Sequence, residues 1–359
     1  MLRLSDLAYD LPEGLIAQAP AAERDGSRLL VLSRATGIVG HHVFRELPTL
    51  LRPGDLLVLN DTKVIPARLA GRWESGGSVE LLLLREAEPG VWEALVKPAA
   101  KARPGRVIVL GDGGRARVAV YAGPGRRLLR FDPGSDPRAL LERHGRMPLP
   151  PYIRRPESNV PGPGSGHSAI RNPQSAMDRE RYQTVYAREE GAIAAPTAGL
   201  HFTEALLDAV AGAGIGVRRI TLHVGPGTFQ PIRAARIRDH RMEPERYVIP
   251  EATAQAVKAA KAEGRRVIAV GTTAVRTLEH SALRGGEVQA GPAEADLFIT
   301  PGHRFRVVDG MVTNFHLPAS TPLALVAALA GLERVKAAYA EAVARGYRFY
   351  SYGDAMLIL

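Results

Sequence analysis

No cysteine occurs in the 359 residues. Its absence excludes disulfides, thiolate nucleophiles, thiolate zinc sites and iron–sulfur clusters. Long apolar runs are missing too. The most apolar stretch, Leu323 to Leu332, is too short to cross a bilayer. The opening Met1-Leu2-Arg3-Leu4-Ser5-Asp6 lacks the basic and apolar regions of a secretion signal. A cytoplasmic protein with no membrane association is expected. There is no Gly-x-Gly-x-x-Gly opening a βα unit, no P-loop and no His-Glu-x-x-His, so the common nucleotide and zinc signatures give no support. The adjacent His41 and His42 fall in a polar region and read as solvated rather than metal-bound.

What remains is a globular composition, 45% hydrophobic and 23% charged, long enough for two domains. The formal net charge is +10. Between Arg85 and Glu157 there are 15 Lys and Arg against 8 Asp and Glu, so that span alone carries +7. Such a local excess suits a polyanion such as RNA.

The chain is organised around Ala194 to Gln230. Two small-residue loops there each hold a histidine, His201 and His223, and one helix and one strand join them. Thr203 is a good helix N-cap, with Leu206, Leu207 and Val210 at helical spacing behind it. Val217 to Val224 reads as a strand with Ile220, Leu222 and Val224 on one face and Thr221 and His223 on the other. It runs into Gly225-Pro226-Gly227-Thr228, where backbone can approach a ligand closely. Upstream, Asp55 to Leu59 is apolar enough to be a strand buried on both faces, and it ends at Asn60-Asp61-Thr62-Lys63.

From Val64 to about Phe131 short apolar runs alternate with Gly-rich turns, the texture of a small sandwich or barrel. Pro148 to Arg155 reads as the extended return, and Pro156 to about Met177, rich in Pro, Gly, Ser and Asn, as a flexible surface loop. Pro250 suits the first position of a helix to Glu263, followed by a strand at Arg265 to Val270 and a helix from Ala274. Thr203–Val224 and Pro250–Val270 thus share a weak helix–strand repeat. Asp296–Thr300 and Arg304–Val308 are expected as strands, and Met311–Leu317 alternates. Ser320 caps an apolar helix. The fold class expected is α/β: a main α/β domain (1–63 and 148–359) with an inserted small antiparallel β-barrel (64–147).

The candidate site residues are polar groups at expected strand ends: Asn60, Asp61 and Thr62; Thr197 and His201; His223 and Thr228; Thr272, Thr273 and Arg276; Asn314 and His316. Gly271-Thr272-Thr273 opens a helix whose free N–H groups could hold a carboxylate or phosphate, though simple capping by either threonine competes with that reading. Asp239 beside His240 could tune a base, or could be an exposed turn.

With these segments in view, the chain resembles the S-adenosylmethionine:tRNA ribosyltransferase-isomerase family of queuosine biosynthesis from end to end. The resemblance rests on residues 59–68 (LNDTKVIPAR), 147–153 (MPLPPYI), 182–187 (YQTVYA), 194–202 (AAPTAGLHF), 222–231 (LHVGPGTFQP), 267–276 (VIAVGTTAVR), 312–318 (VTNFHLP) and 350–356 (YSYGDAM). It implies an α/β domain with an inserted barrel. It also implies a reaction in which the ribosyl part of S-adenosylmethionine, a co-substrate, passes to 7-aminomethyl-7-deazaguanine at the tRNA wobble position. Isomerisation then gives epoxyqueuosine, and adenine and methionine are released. No metal is expected. Family members often have a shorter return from Pro-Pro-Tyr-Ile to Tyr-Gln-Thr-Val-Tyr, so Ser158 to Ala176 reads as an insertion.

Such chemistry needs a base for the aminomethyl nitrogen, which is protonated in water near neutral pH, and for the 5′ carbon beside the sulfonium. His201, His223 and His316 are the candidate bases, with Asp61 and Asp239 as partners for the aminomethyl cation. The helix start at Gly271–Thr273 with Arg276 suits the methionine carboxylate. Phe229 and Phe315 are candidates to stack on adenine. A monomer is expected. Two other readings stay open: an RNA-binding barrel protein without catalysis, and an RNA methyltransferase.

Overall fold

The computed structural model describes residues 3–155, 173–229, 232, 237–283 and 285–359, with the side chains of Thr228, Phe229 and Arg238 outside that description. The chain divides into two compact units: Met1–Thr62 with Thr184–Glu189 and Ala195–Leu359, and Lys63–Gln183 with Glu190–Ala194.

The first unit is built on a nine-stranded mixed sheet. Across it the strands run Gly291–Ala295, Glu245–Ile249, Gly216–Leu222, Leu56–Asn60, Val267–Val270, Gly310–Asn314, Ala355–Ile358, Arg28–Leu32, Val39–Val43. The four from Gly216–Leu222 to Gly310–Asn314 are mutually parallel. Leu56–Asn60 is therefore buried along its whole length, as its unbroken apolar run requires of a central parallel strand. The expected helix–strand pairs fall on either side of it. Glu204–Gly212 leads to Gly216–Leu222, and Glu251–Ala262 leads to Val267–Val270. Thr203 caps the first helix, its hydroxyl accepting the Leu206 N–H at 3.0 Å. Pro250 stands one place earlier than expected, at the N-cap. Ser320 caps Thr321–Ala330, an almost wholly buried helix that is apolar on all sides.

The second unit contains a closed six-stranded antiparallel barrel, in the order Arg126–Phe131, Val91–Lys97, Ser78–Glu88, Arg68–Trp73, Val107–Leu110, Gly114–Gly123. Its interior is filled by alternate residues such as Leu69, Leu81, Leu83, Ile108, Ala116, Val118 and Leu129. Short strands with Gly-rich turns do close a barrel here, so the α/β-plus-barrel class is what the chain adopts.

Three local expectations need correction. Neither Asp296–Thr300 nor Arg304–Val308 is a strand. The fully buried Glu279 carboxylate accepts the Arg306, Val307 and Val308 N–H groups at 2.9–3.0 Å and so satisfies them without a ladder. The edge strand is instead Gly291–Ala295, paired to Glu245–Ile249. Finally, the loop expected to reach Met177 gives way to a helix at Pro173–Arg181. The rest of that loop, which includes residues 158–172 of the insertion, lies outside the described residues.

Candidate active site

The four parallel strands end along one edge of the sheet. Asn60, Leu222, Val270 and Asn314 are their last residues. Because parallel strands end together, side chains just beyond them share that edge although they are far apart in sequence. On the neighbouring strands that run the other way at this edge, the same line is continued by Asp354, before Ala355, and by Ser27, before Arg28. The turn Thr197–His201 contacts the Gly310–Asn314 strand at this edge.

Two hydrogen-bonded groups form there. The first centres on Asn60, which is fully buried. Its amide donates to Leu222 O at 3.0 Å and Thr273 Oγ1 at 3.2 Å, and its carbonyl accepts the Leu222 and Thr62 N–H groups at 2.9 and 3.2 Å. All four capacities are used, so Asn60 fixes the strand end to the helix start. Thr62 Oγ1 lies 2.9 Å from His223 Nδ1 and 3.4 Å from Glu189 O. The carbonyl can only accept, so the hydroxyl proton goes to it and His223 Nδ1–H donates to Thr62. This tautomer, assigned from the hydrogen-bond network, leaves Nε2 with a free lone pair. Burial pushes the half-buried His223 ring below the ordinary histidine value and nearby Arg246 acts the same way; Glu189 and Asp61 oppose them. Beside it, Asp61 is buried, and its Oδ1 accepts the Thr221 hydroxyl at 2.6 Å. Its Oδ2 has no hydrogen-bond partner among the described residues, although Arg188 Nη2 stands 3.2 Å away.

The second group is closed. Asn314 accepts the Thr197 hydroxyl at 2.8 Å and donates to His201 Nε2 at 3.0 Å, so His201 Nδ1–H donates to Ser27 Oγ at 2.7 Å. His201 is buried and stacks on Phe44 with 4.9 Å between centroids. Burial, with Arg348 and Arg24 adding to it, pushes the ring down to about 3, so it stays neutral. Both nitrogens are committed. The turn itself depends on Gly199, where a Cβ would collide with the Tyr186 hydroxyl. Gly199→Ala is expected to cost about 1–3 kcal/mol, read as a lowered Tm, and to reduce activity by displacing Thr197 and His201. An unchanged Tm would show that the turn yields freely.

The remaining expected residues are placed differently. The His316 ring bonds Thr313 Oγ1, on the strand Gly310–Asn314 just before it, at 2.6 Å, and burial pushes its pKa down. Asp239 is exposed on the turn Ile237–Asp239, next to His240, whose ring meets Phe298 edge-on at 5.1 Å. Phe315 is fully buried among Tyr339, Tyr347 and Phe349 at 4.9–5.5 Å, so no face of its ring is open to a nucleobase. Arg276 is committed: it pairs with the buried Glu245 and donates to Leu297 O at 3.0 Å and Ala295 O at 3.1 Å. Glu245 also accepts the Gly225 N–H at 2.9 Å, tying the loop after His223 to the Thr272–Ser281 helix. That helix starts at Gly271 (φ 87°) with no side-chain cap, so the capping role weighed for Thr272 and Thr273 is not what the two residues do.

A shallow open cleft lies at this helix start, lined by Thr272, Thr273 and Arg276 and by Met242, Phe298 and Leu325 among others. None of the three candidate histidines lines it. Thr273 connects the two places, since it lines the cleft and its hydroxyl bonds Asn60. Sequence reasoning missed Ser27, Thr221, Glu245, Arg188 and the cleft walls Met242 and Phe298. Only Thr221 carried a signal, its shared strand face with His223. Among the described residues no group of three or more His, Asp or Glu side chains is arranged to hold a metal ion, and no helix is long and apolar enough to cross a membrane.

Comparison with known proteins adds the family. A family profile described as "Queuosine biosynthesis protein" matches residues 4–358. The S-adenosylmethionine:tRNA ribosyltransferase-isomerase of Geotalea uraniireducens is 52% identical over 359 residues, covering 99% of this chain and 100% of its own. That of Anaeromyxobacter dehalogenans is 54% identical over 362 residues, covering 100% and 99%. A crystal structure of the S-adenosylmethionine tRNA ribosyltransferase from Thermotoga maritima matches with a TM-score of 0.54 and 37% identity, covering 99% of this chain and 100% of that one.

Proposed function

The chain belongs to the queuosine biosynthesis protein family and has the activity of an S-adenosylmethionine:tRNA ribosyltransferase-isomerase; we propose that its chemistry runs along the sheet edge from His223 to the start of the Thr272–Ser281 helix. The observation that carries this placement is the unbroken line His223–Thr62–Asn60–Thr273, which holds a basic nitrogen in fixed relation to the cleft at the helix start. His223 Nε2 is the general base. It is neutral at physiological pH, and its proton-bearing Nδ1 is held by Thr62. Asp61, whose buried Oδ2 has no hydrogen bond among the described residues and only the exposed Arg188 as an ion-pair neighbour at 3.2 Å, holds the aminomethyl cation of the tRNA before that group loses its proton, taking the place of Arg188.

S-adenosylmethionine occupies the cleft. Its carboxylate is held by the uncapped N–H groups at Thr272 and Thr273 and by the helix dipole, rather than by Arg276, whose guanidinium is spent on Glu245. Phe298, a partly exposed wall of the cleft, takes the stacking role on adenine in place of Phe315. Phe229 and Thr228 stay candidates by sequence alone. His201, Thr197 and Asn314 hold the loop geometry as a closed neutral unit, and His316 ties its loop to Thr313 of the strand Gly310–Asn314.

The test is product analysis with S-adenosylmethionine and tRNA bearing the 7-aminomethyl-7-deazaguanine base. Free adenine and free methionine are expected in equal amounts, each matching the anticodon nucleosides converted. A bound but unconverted tRNA would leave only an RNA-binding protein. A nucleoside that gained one methyl group, with adenosine retained on the co-product, would make the chain a methyltransferase.

A further inference from the structure

We propose that one end of the barrel is a separate tRNA-contact surface, a stacking platform in which Tyr121 lies over Arg127 and is flanked by Lys97, Lys101 and Arg103. This rests on the reading above that tRNA is the substrate, and it adds a surface which that reading does not require. Several basic side chains of the barrel are already neutralised. Arg85 and Arg126 share Glu93, Arg115 meets Glu74, Arg138 meets Glu86 and Arg143 meets Asp112. Lys97, Lys101 and Arg103, like Arg72, Arg117 and Arg130, are exposed and have no carboxylate within ion-pair reach among the described residues; what sets the three apart is their place at the turn that Arg127 binds. Lys97 ends the strand Val91–Lys97, and Lys101 and Arg103 lie on the loop that follows, which also carries Ala99 and Ala102.

That loop is tied to an aromatic ring. Arg127 is buried, and its guanidinium donates to Ala102 O at 2.6 Å and Ala99 O at 2.8 Å. Bonds to carbonyls fix its orientation without cancelling its charge. Its guanidinium carbon stands 4.1 Å from the Tyr121 ring centroid, so one face of the tyrosine is held on a fixed cation. The ring as a whole is 59% exposed, and neighbouring Val120 is 49% exposed. An open aromatic face with a cation behind it and unpaired cations beside it suits an unstacked nucleobase and its adjoining phosphates. The loop cations supply sequence-independent attraction to the backbone, and the ring supplies stacking.

The test uses the full chain in two variants, Tyr121→Ala and the triple Lys97→Glu/Lys101→Glu/Arg103→Glu, with a triple Gln version as a control that removes charge without reversing it. tRNA binding is measured across a salt series, S-adenosylmethionine binding by calorimetry, and adenine release under steady-state conditions. Tyr121→Ala is expected to weaken tRNA binding by about 5- to 100-fold, the loss typical of one stacked base. The triple Gln variant should make the salt slope of tRNA binding shallower by roughly 2, at about 0.7 per lost single-strand phosphate contact. In all variants KM for tRNA rises, while kcat at saturating tRNA and S-adenosylmethionine affinity stay at the wild-type level. If the wild type neither binds tRNA nor releases adenine, the activity reading itself is lost. If the wild type does both and the variants keep its KM and salt slope, the barrel surface alone is overturned. A fall in kcat with KM unchanged would overturn it as well.

Discussion

His223→Ala is expected to lower kcat for adenine release by ~10²–10⁴-fold, the usual contribution of a positioned general base, with little change in the binding of either substrate. Of the three histidines at the candidate strand ends, His201 has both ring nitrogens committed, to Ser27 and Asn314. The His316 ring is bonded to Thr313 on the adjoining strand Gly310–Asn314. His223 alone joins a hydrogen-bond line that reaches the cleft, with Nε2 left basic. His201→Ala should therefore read mainly as lost stability, since it strips one partner each from the buried Asn314 and Ser27. The pH profile gives a second check. Because burial lowers the His223 pKa, the ring is neutral at pH 7 and becomes protonated only as pH falls through a value below 6.5. The acidic limb of kcat should thus lie below 6.5 in the wild type and vanish in His223→Ala. A variant that keeps both its rate and its acidic limb would remove His223 from the chemistry.

What the sequence disclosed was what is local. The solid apolar run ending at Asn60 announces a central strand with polar groups at its mouth, and Thr203 and Ser320 announce helix starts through the same hydroxyl-to-amide bond. Short strands with regular turns announce the barrel. The strand-end residues Asn60, Thr62, His223 and Thr273 could be grouped because parallel strands bring their ends together whatever their sequence separation. What stayed hidden depends on partners distant in sequence. The burial of His201 is set by Ser27, 174 residues away, and by Phe44. The commitment of Arg276 is set by Glu245. The edge strand Gly291–Ala295 has no apolar alternation, and its pairing is imposed by Glu245–Ile249. The apolar residues at Val307 and Val308 suggest a strand, but one carboxylate, Glu279, takes their amides instead.

Asp61→Asn separates charge from shape at the same edge. The side chain is 1% exposed, and its backbone carbonyl accepts the Arg188 and Glu189 N–H groups at 2.8 and 3.3 Å. Asparagine keeps the volume and can still accept the Thr221 hydroxyl, so the fold should persist. Arg188 loses one partner but keeps Glu189 at 2.9 Å, and it is 59% exposed along its side chain, where water replaces a carboxylate at little cost. The substitution removes the negative charge at Oδ2, which has no hydrogen bond among the described residues and faces only Arg188. A hydrogen bond to a charged group is worth about 1.5–3 kcal/mol. The expected loss in kcat/KM for the amine-bearing tRNA is therefore about 10- to 150-fold, with S-adenosylmethionine affinity unchanged. The same variant should bind tRNA that lacks the aminomethyl group as well as the wild type does, because no cation is then at stake. If affinity for S-adenosylmethionine falls instead, the carboxylate faces the sulfonium and not the amine. If kcat/KM is untouched, Asp61 serves only to hold Thr221 and the strand end in place.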